Sequence, residues 1–182
     1  MSKLIGEIEL KGDKSISHRA LIFAVLANGT SSIKNLSSSE DIKNTIDCLI
    51  SCGANINMIN KHEIIIDGTM LSNPINILDC GNSGTSIRLL MGLMAGLNIS
   101  ADFTGDSSLI NRPMKRVTDR LESMGAVFES TKFPIKLKSG VTEGDKEISL
   151  NTASAQVKTA VILAALGVNG ITKITGKIIN FD

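Results

Sequence analysis

Three stretches of this chain stay apolar around whole helical turns: residues 20–27, 87–97 and 157–166. A helix without a polar face belongs inside a core, so all three are expected to be buried. Short stretches of strand character flank each one, at about 4–10, 75–79 and 147–150 before the helices and about 31–35, 99–104 and 171–175 after them. Two other segments are amphipathic. Ile42, Ile46, Leu49 and Ile50 share one stripe, and Met114, Val117, Leu121 and Met124 share another. Ser38, three before Asp41, suits a capping box for the first. Pro113 suits the first helical position of the second. Gly53 and Gly125 stand where each helix should stop. A hairpin is expected after each: Ala54, Ile56 and Met58 alternate with asparagines before Ile64–Ile66, and Phe128, Ile135 and Leu137 serve in the second case.

The same order of elements recurs. The apolar helices begin near Ser15, Gly84 and Ser154, a step of about 70 residues. Ser51-Cys52-Gly53-Ala54 is echoed by Ser123-Met124-Gly125-Ala126. The predicted fold is therefore α/β, made of repeated β-α-β-α-β-β units with buried parallel helices. Units are expected at about 3–68, 75–138 and 147–182, the third lacking its amphipathic helix and hairpin. No linker divides the copies, so residues 1–182 are expected to form one truncated domain.

Composition removes several function classes. The net charge is +1, so there is no bulk attraction to nucleic acid or to an acidic membrane surface. Five Phe with no Trp or Tyr make a poor stacking platform for single-stranded nucleic acid. The apolar run at 160–168 is far shorter than the roughly 20 residues a spanning helix needs. No signal peptide is visible at the start, which points to the cytoplasm. Cys48, Cys52 and Cys80 have no framework spacing and are expected to be buried free thiols. His18 and His62 stand apart in sequence, so no metal cluster is expected.

The candidate chemistry lies at the starts of the three apolar helices. The first opens with Lys14-Ser15-Ile16-Ser17-His18-Arg19. From that run alone two accounts stand: a site for an anionic, phosphorylated small molecule, or a basic first turn solvated at the surface. The other two helices open with Asn82, Ser83, Gly84, Thr85 and Ser86, and with Ser154, Ala155 and Gln156. Free N–H groups and a positive dipole end favour an anion at any helix start. Capping explains the hydroxyls but not Lys14, Arg19 and Gln156 beside them. Taken with the repeat, these residues favour a ligand site where three helix starts converge. Arg112, at the mouth of a further helix, offers a bidentate fork for phosphate or carboxylate. A nucleotide phosphate loop is excluded, because Asp13 separates Gly12 from Lys14 and Glu7 stands where that loop needs its first glycine.

Four stretches carry a resemblance: GDKSISHRA at 12–20, DCGNSGTSIR at 79–88, GDSSL at 105–109 with RPMKR at 112–116, and SAQVK at 154–158. In this order and spacing they resemble the 5-enolpyruvylshikimate-3-phosphate synthases, or 3-phosphoshikimate 1-carboxyvinyltransferases. The wording is nearest the bacterial subgroup called class II, and the match is to the family's N-terminal portion. The resemblance implies transfer of the enolpyruvyl group from phosphoenolpyruvate to the 5-hydroxyl of shikimate 3-phosphate, with release of phosphate and no cofactor or metal. It implies a half of an enolpyruvyl transferase-like fold. In that family two domains of three units each close over the substrates.

The resemblance also assigns roles. Lys14 would contact both substrates and stabilise developing charge. Ser15 and Arg19 would hold the carboxylate and hydroxyl side of shikimate. Asn82, Gly84 and Thr85 would line the phosphoenolpyruvate pocket, and Arg112 would grip its phosphate. Ser154 and Ala155 would meet the 3-phosphate, and Gln156 would lie against both substrates. Arg88 is given a supporting role only. A Cβ at Gly84 would project toward the ligand, so Gly84 is expected to keep the pocket open to the inhibitor glyphosate. The acidic groups for proton transfer and two further arginines would belong to a second domain, so this chain alone is not expected to turn over. The alternative is a non-catalytic module that binds a phosphorylated metabolite or complements another chain. The sister enzymes acting on UDP-N-acetylglucosamine carry a loop cysteine, and none lies between Asp102 and Arg120.

Overall fold

A computed structural model describes residues 6–7, 10–150 and 153–176. Most of the strand expected at 4–10, and everything after Gly176, lies outside the described residues. Asp13 caps the first helix, α1 (Lys14–Leu26), its carboxylate accepting from the Ile16 amide at 2.7 Å. Next come β1 (Thr30–Lys34), α2 (Glu40–Ser51), β2 (Asn55–Asn60) and β3 (Glu63–Asp67). The second copy runs β4 (Leu78–Asp79), α3 (Gly84–Gly96), β5 (Ala101–Thr104), α4 (Lys115–Ser123), β6 (Val127–Ser130) and β7 (Ile135–Ser139). The third has β8 (Glu147–Leu150), α5 (Ala155–Ala165) and β9 (Lys173–Gly176).

The sheets repeat as the elements do. In the second copy the order is β4-β5-β7-β6, with β4 parallel to β5 and the hairpin antiparallel to it. The first copy shows the matching β1-β3-β2, and the third the matching parallel pair β8-β9. Both amphipathic helices are followed by a glycine in the left-handed region, Gly53 at φ 93° and Gly125 at φ 96°. One continuous core joins all three copies.

Several expectations need correction. The strand foreseen over 75–79 is only Leu78–Asp79, paired to Phe103 and Thr104. Pro74 cannot donate to a ladder, and Ile75 is 97% exposed. The first cap of α2 is Ser39 rather than Ser38, and its side chain makes no capping bond, so no capping box forms. Pro113 precedes the helix, because Met114 is the N-cap of α4. Ile50 leaves its stripe for solvent, while Ile42, Ile46 and Leu49 are buried as foreseen.

The three apolar helices are not equally interior. In α3 every residue except Thr85 and Arg88 is buried. In α1, Ile16 and Phe23 face outward, and in α5 Leu166 follows into solvent. The cause is layering: α3 lies between α5 on one side and α1 with α2 on the other. Helices α3 and α5 touch backbone to backbone. A Cβ on Gly92 would overlap the Ala160 carbonyl, and one on Gly96 would lie 2.6 Å from the Leu163 oxygen. Arg88 meets Gln156 and Gly92 meets Ala160 at the same 68-residue offset, so the two helices run parallel with their first turns side by side.

Candidate functional site

The first turns of α3 and α5 form one cluster. Ser83 caps α3 by accepting from the Ser86 amide at 3.1 Å, and Ser154 caps α5 by accepting from Val157 at 3.4 Å. Gln156 bridges the two helices. Its amide nitrogen donates to the Thr85 hydroxyl at 2.9 Å, and its carbonyl accepts from Arg88 Nη1 at 2.7 Å. Arg88 Nη1 also donates to the Gly84 carbonyl at 2.9 Å. A Cβ on Gly84 would stand 2.7 Å from Arg88 Nη1 and 3.2 Å from Arg112 Nη1, so this glycine is what lets two guanidiniums approach the helix end.

Arg112 comes from the loop before α4. It donates to the Asn82 side-chain oxygen and, at 3.3 Å, to the Ser108 hydroxyl. Asn82 in turn donates to the Asp106 carboxylate at 2.8 Å. The Leu109 amide chiefly, then Asn82, the Ser108 amide and the charge of Arg112, hold the Asp106 carboxyl below its ordinary pKa. Among the described residues neither Arg88 nor Arg112 makes a carboxylate ion pair. Burial, then the neighbouring Arg112 and Arg116, lower the pKa of Arg88. An anion placed between the guanidiniums relieves that repulsion.

The α1 side is built differently. Lys14 donates to the Asp41 carboxylate of α2 at 2.6 Å. The Asp41 backbone carbonyl accepts from Thr45 and from Ser86, each at 3.1 Å. Through Asp41, Lys14 is therefore joined to the first turn of α3. Ser15 and Arg19 are exposed, and Ala155 is exposed at the start of α5. The structure thus brings Asn82, Gly84, Thr85, Arg112 and Gln156 together, with Ser154 at the adjoining helix start and Lys14 linked through α2. Neither Ser15 nor Arg19 touches that cluster through any hydrogen bond among the described residues.

Two features of the site do not show in the sequence. Arg88, given a supporting role from the sequence, ties the α3 start to Gln156 of α5 by contacting both Gly84 and Gln156. Helix α2 itself is foreseen from its apolar stripe, but its polar side is not placed in the site, and it supplies Asp41, Asn44, Thr45 and Cys48 beneath the α3 start. Asn44 donates to the Cys80 carbonyl at 3.2 Å, and the Cys48 thiol to the Asp79 carbonyl at 3.4 Å. The signal was present: positions 41, 44, 45 and 48 form a polar stripe at helical spacing beside the apolar one. All three cysteines are buried free thiols, as foreseen. Burial pushes the Cys52 thiol up to about 12, with Cys48 adding to it.

This is the geometry of an enolpyruvyl transferase half: repeated units whose parallel helices bring their first turns to one cationic cluster. The family model described as EPSP synthase (3-phosphoshikimate 1-carboxyvinyltransferase) matches residues 1–181, and the chain belongs to that family. A 3-phosphoshikimate 1-carboxyvinyltransferase of Legionella pneumophila is 43% identical over 98% of this chain. One of Petrotoga mobilis is 46% identical over 92%. The solved EPSP synthase from Acinetobacter baumannii superposes with a TM-score of 0.90 at 34% identity, over 97% of this chain and 42% of that one. The enolpyruvyl transferase NikO from Streptomyces tendae, at 14% identity and a TM-score of 0.62, shares the fold alone. The chain spans 42% of the length of the Legionella relative. Among the described residues no helix is long and apolar enough to cross a membrane.

Proposed function

We propose that the protein to which this chain belongs transfers the enolpyruvyl group of phosphoenolpyruvate to the 5-hydroxyl of shikimate 3-phosphate. The 5-oxygen adds to C2 of phosphoenolpyruvate while C3 takes a proton, giving a tetrahedral adduct. Loss of a C3 proton and of phosphate completes the exchange. The observation that carries this reading is the pair Arg88 and Arg112, held beside Gly84 by neutral acceptors and open to an anion.

On this reading Arg112, with Arg88 behind it, takes the phosphate of phosphoenolpyruvate, and Asn82, Gly84 and Thr85 line that pocket. Ser154 and Ala155 offer the start of α5 to the 3-phosphate of shikimate 3-phosphate. Gln156 lies between the two substrates. Lys14 exchanges its bond to Asp41 for contact with substrate and is the catalytic cation of this chain. Ser15 and Arg19, exposed at the start of α1, approach the shikimate carboxylate and hydroxyls. We read residues 1–182 as one truncated domain, partnered by a second domain that supplies the acid–base groups, in the cytoplasm. Proton transfer needs such groups within hydrogen-bond reach, so the chain alone is expected not to turn over.

Complementation tests the reading. The isolated chain is mixed with the remaining part of a relative, phosphoenolpyruvate and shikimate 3-phosphate. Phosphate release with the pair, and none with either part, is expected. Binding of shikimate 3-phosphate without phosphate release from any mixture would favour the non-catalytic module instead.

A further inference from the structure

His18 sits in the middle of the cationic motif, yet it is wholly buried. Its Nδ1 lies 2.9 Å from the Thr45 hydroxyl, while its Nε2 is buried without a hydrogen-bond partner. An unpaired buried ring nitrogen costs stability, and a leucine of similar size would fill the place without that cost. What the imidazole adds is its bond to Thr45. The Thr45 oxygen is also 2.7 Å from the Ser86 hydroxyl and 3.1 Å from the Asp41 carbonyl. Ser86 reaches the Ser83 hydroxyl at 2.7 Å and the Asp41 carbonyl at 3.1 Å. Each hydroxyl has one proton, so the group at the end of the chain decides which way the others point.

We propose that His18 is a positioning residue, which acts through Thr45 to fix Asp41, and with it Lys14, against the first turn of α3. With Nδ1–H donating to Thr45, the Thr45 proton goes to the Ser86 oxygen at 2.7 Å and the Ser86 proton to the Asp41 carbonyl, so the relay ends on Asp41. Nε2 then carries only a lone pair. Asp41 is gripped at both ends, its carbonyl by Ser86 at the end of the relay and its carboxylate by Lys14. Lys14 lies one helical turn before His18, so the bond from His18 sets the register of the turn that presents Lys14. The neutral imidazole suits this role. Burial lowers its pKa to about 4, with Lys14 and Arg19 of the same helix also lowering it and only Asp41 of α2 opposing them. The inference deepens the functional reading above and rests on it for its ligand.

The test compares four forms of the chain: wild type, His18→Leu, His18→Asn, and Val25→Ala as a control buried in the same helix outside the relay. Shikimate 3-phosphate is titrated into each and followed by NMR. His18→Leu is expected to weaken binding by about tenfold. His18→Asn, whose amide reaches the Nδ1 position, should restore most of it. Val25→Ala should lower Tm and leave binding unchanged. Lys14→Met should weaken wild type and add little to His18→Leu, because the two act as one unit. Equal binding by His18→Leu and wild type, or additive effects of Lys14 and His18, would overturn the proposal. A second measurement needs no ligand. The ring 15N shifts of His18 should report Nδ1–H with bare Nε2, and the Ser83 and Ser86 amides should move in His18→Leu. If wild type binds nothing but these signatures appear, the substrate reading fails and the relay stands. If they are absent, the relay itself is wrong.

Discussion

Lys14 and Arg88 occupy comparable places, each on the opening turns of an apolar helix in the repeat, but their charges are met in opposite ways. Lys14 is answered by the Asp41 carboxylate, a partner only 25% exposed. Arg88 has neutral acceptors, the Gly84 and Gln156 carbonyls, and a second guanidinium nearby. Lys14 has a carboxylate partner, and among the described residues Arg88 has none. An anion therefore gains most from the guanidiniums, and Lys14 joins only by leaving a partner it already has. Under the proposed function the difference would separate binding from chemistry, one corner holding the anion and the other delivering a cation to it.

The comparison can be broken at its foundations. Gly92→Leu should have the largest effect, since a side chain there meets the Ala160 backbone and forces α3 from α5. A loss of about 3 kcal/mol or more is expected in urea unfolding followed by circular dichroism. An unchanged midpoint would contradict the close approach of the two helices.

Acid should strike the α1 corner next. His18 has a folded pKa of about 4 against an ordinary value of 6.5. Its contribution is complete above that ordinary value, is lost as pH falls toward the folded one, and then levels off. Relative to His18→Asn, wild type should lose about 3 kcal/mol across that window. Parallel stability curves for the two forms would remove His18 as a buried neutral group.

The charge contrast itself predicts smaller changes. Arg88→Met and Arg112→Met should each weaken binding of phosphoenolpyruvate to the chain by about 10- to 100-fold, a range of ~1.5–3 kcal/mol. Lys14→Met should cost less, because the wild-type lysine must first give up Asp41. Calorimetry on the three variants checks the order, and a larger loss for Lys14→Met would reverse the account. Gly84→Ala should be mildest. The fold survives, because the atoms it meets are the mobile ends of Arg88 and Arg112. Phosphoenolpyruvate affinity should fall by about fivefold. In a reconstituted enzyme glyphosate inhibition should weaken with it, and inhibition left intact would show that this Cβ does not reach the pocket.

Much of this was legible in the chain because periodicity carries it. The apolar runs, the glycine stops and the 70-residue echo follow from local chemistry, and α3 and the hairpins lie where those signals put them. The degree of burial was not legible. The runs opening at Ala20 and Ile87 are alike in pattern, yet only α3 has neighbours on both sides, and nothing local distinguishes Phe23 from Leu90. The motif residues of α3 and α5 stand out as a candidate site because capping explains their hydroxyls but not Gln156 beside them. Asp41 and Thr45 were missed because an acid in the first turn and a threonine within a helix look like solvated surface. Only tertiary placement shows that they join Lys14 to Ser86. The bond from Arg88 to Gln156 is not legible for a related cause: the two lie 68 residues apart in the chain.

The most direct measurement is a titration of shikimate 3-phosphate into the isolated, 15N-labelled chain. The amides of Lys14–Ser17, Asn82–Ser86 and Ser154–Val157 should shift together along one binding curve, as the proposed function requires of three helix starts serving one anion. Shifts confined to a single helix, or spread over surfaces away from Arg88 and Arg112, would contradict a shared site.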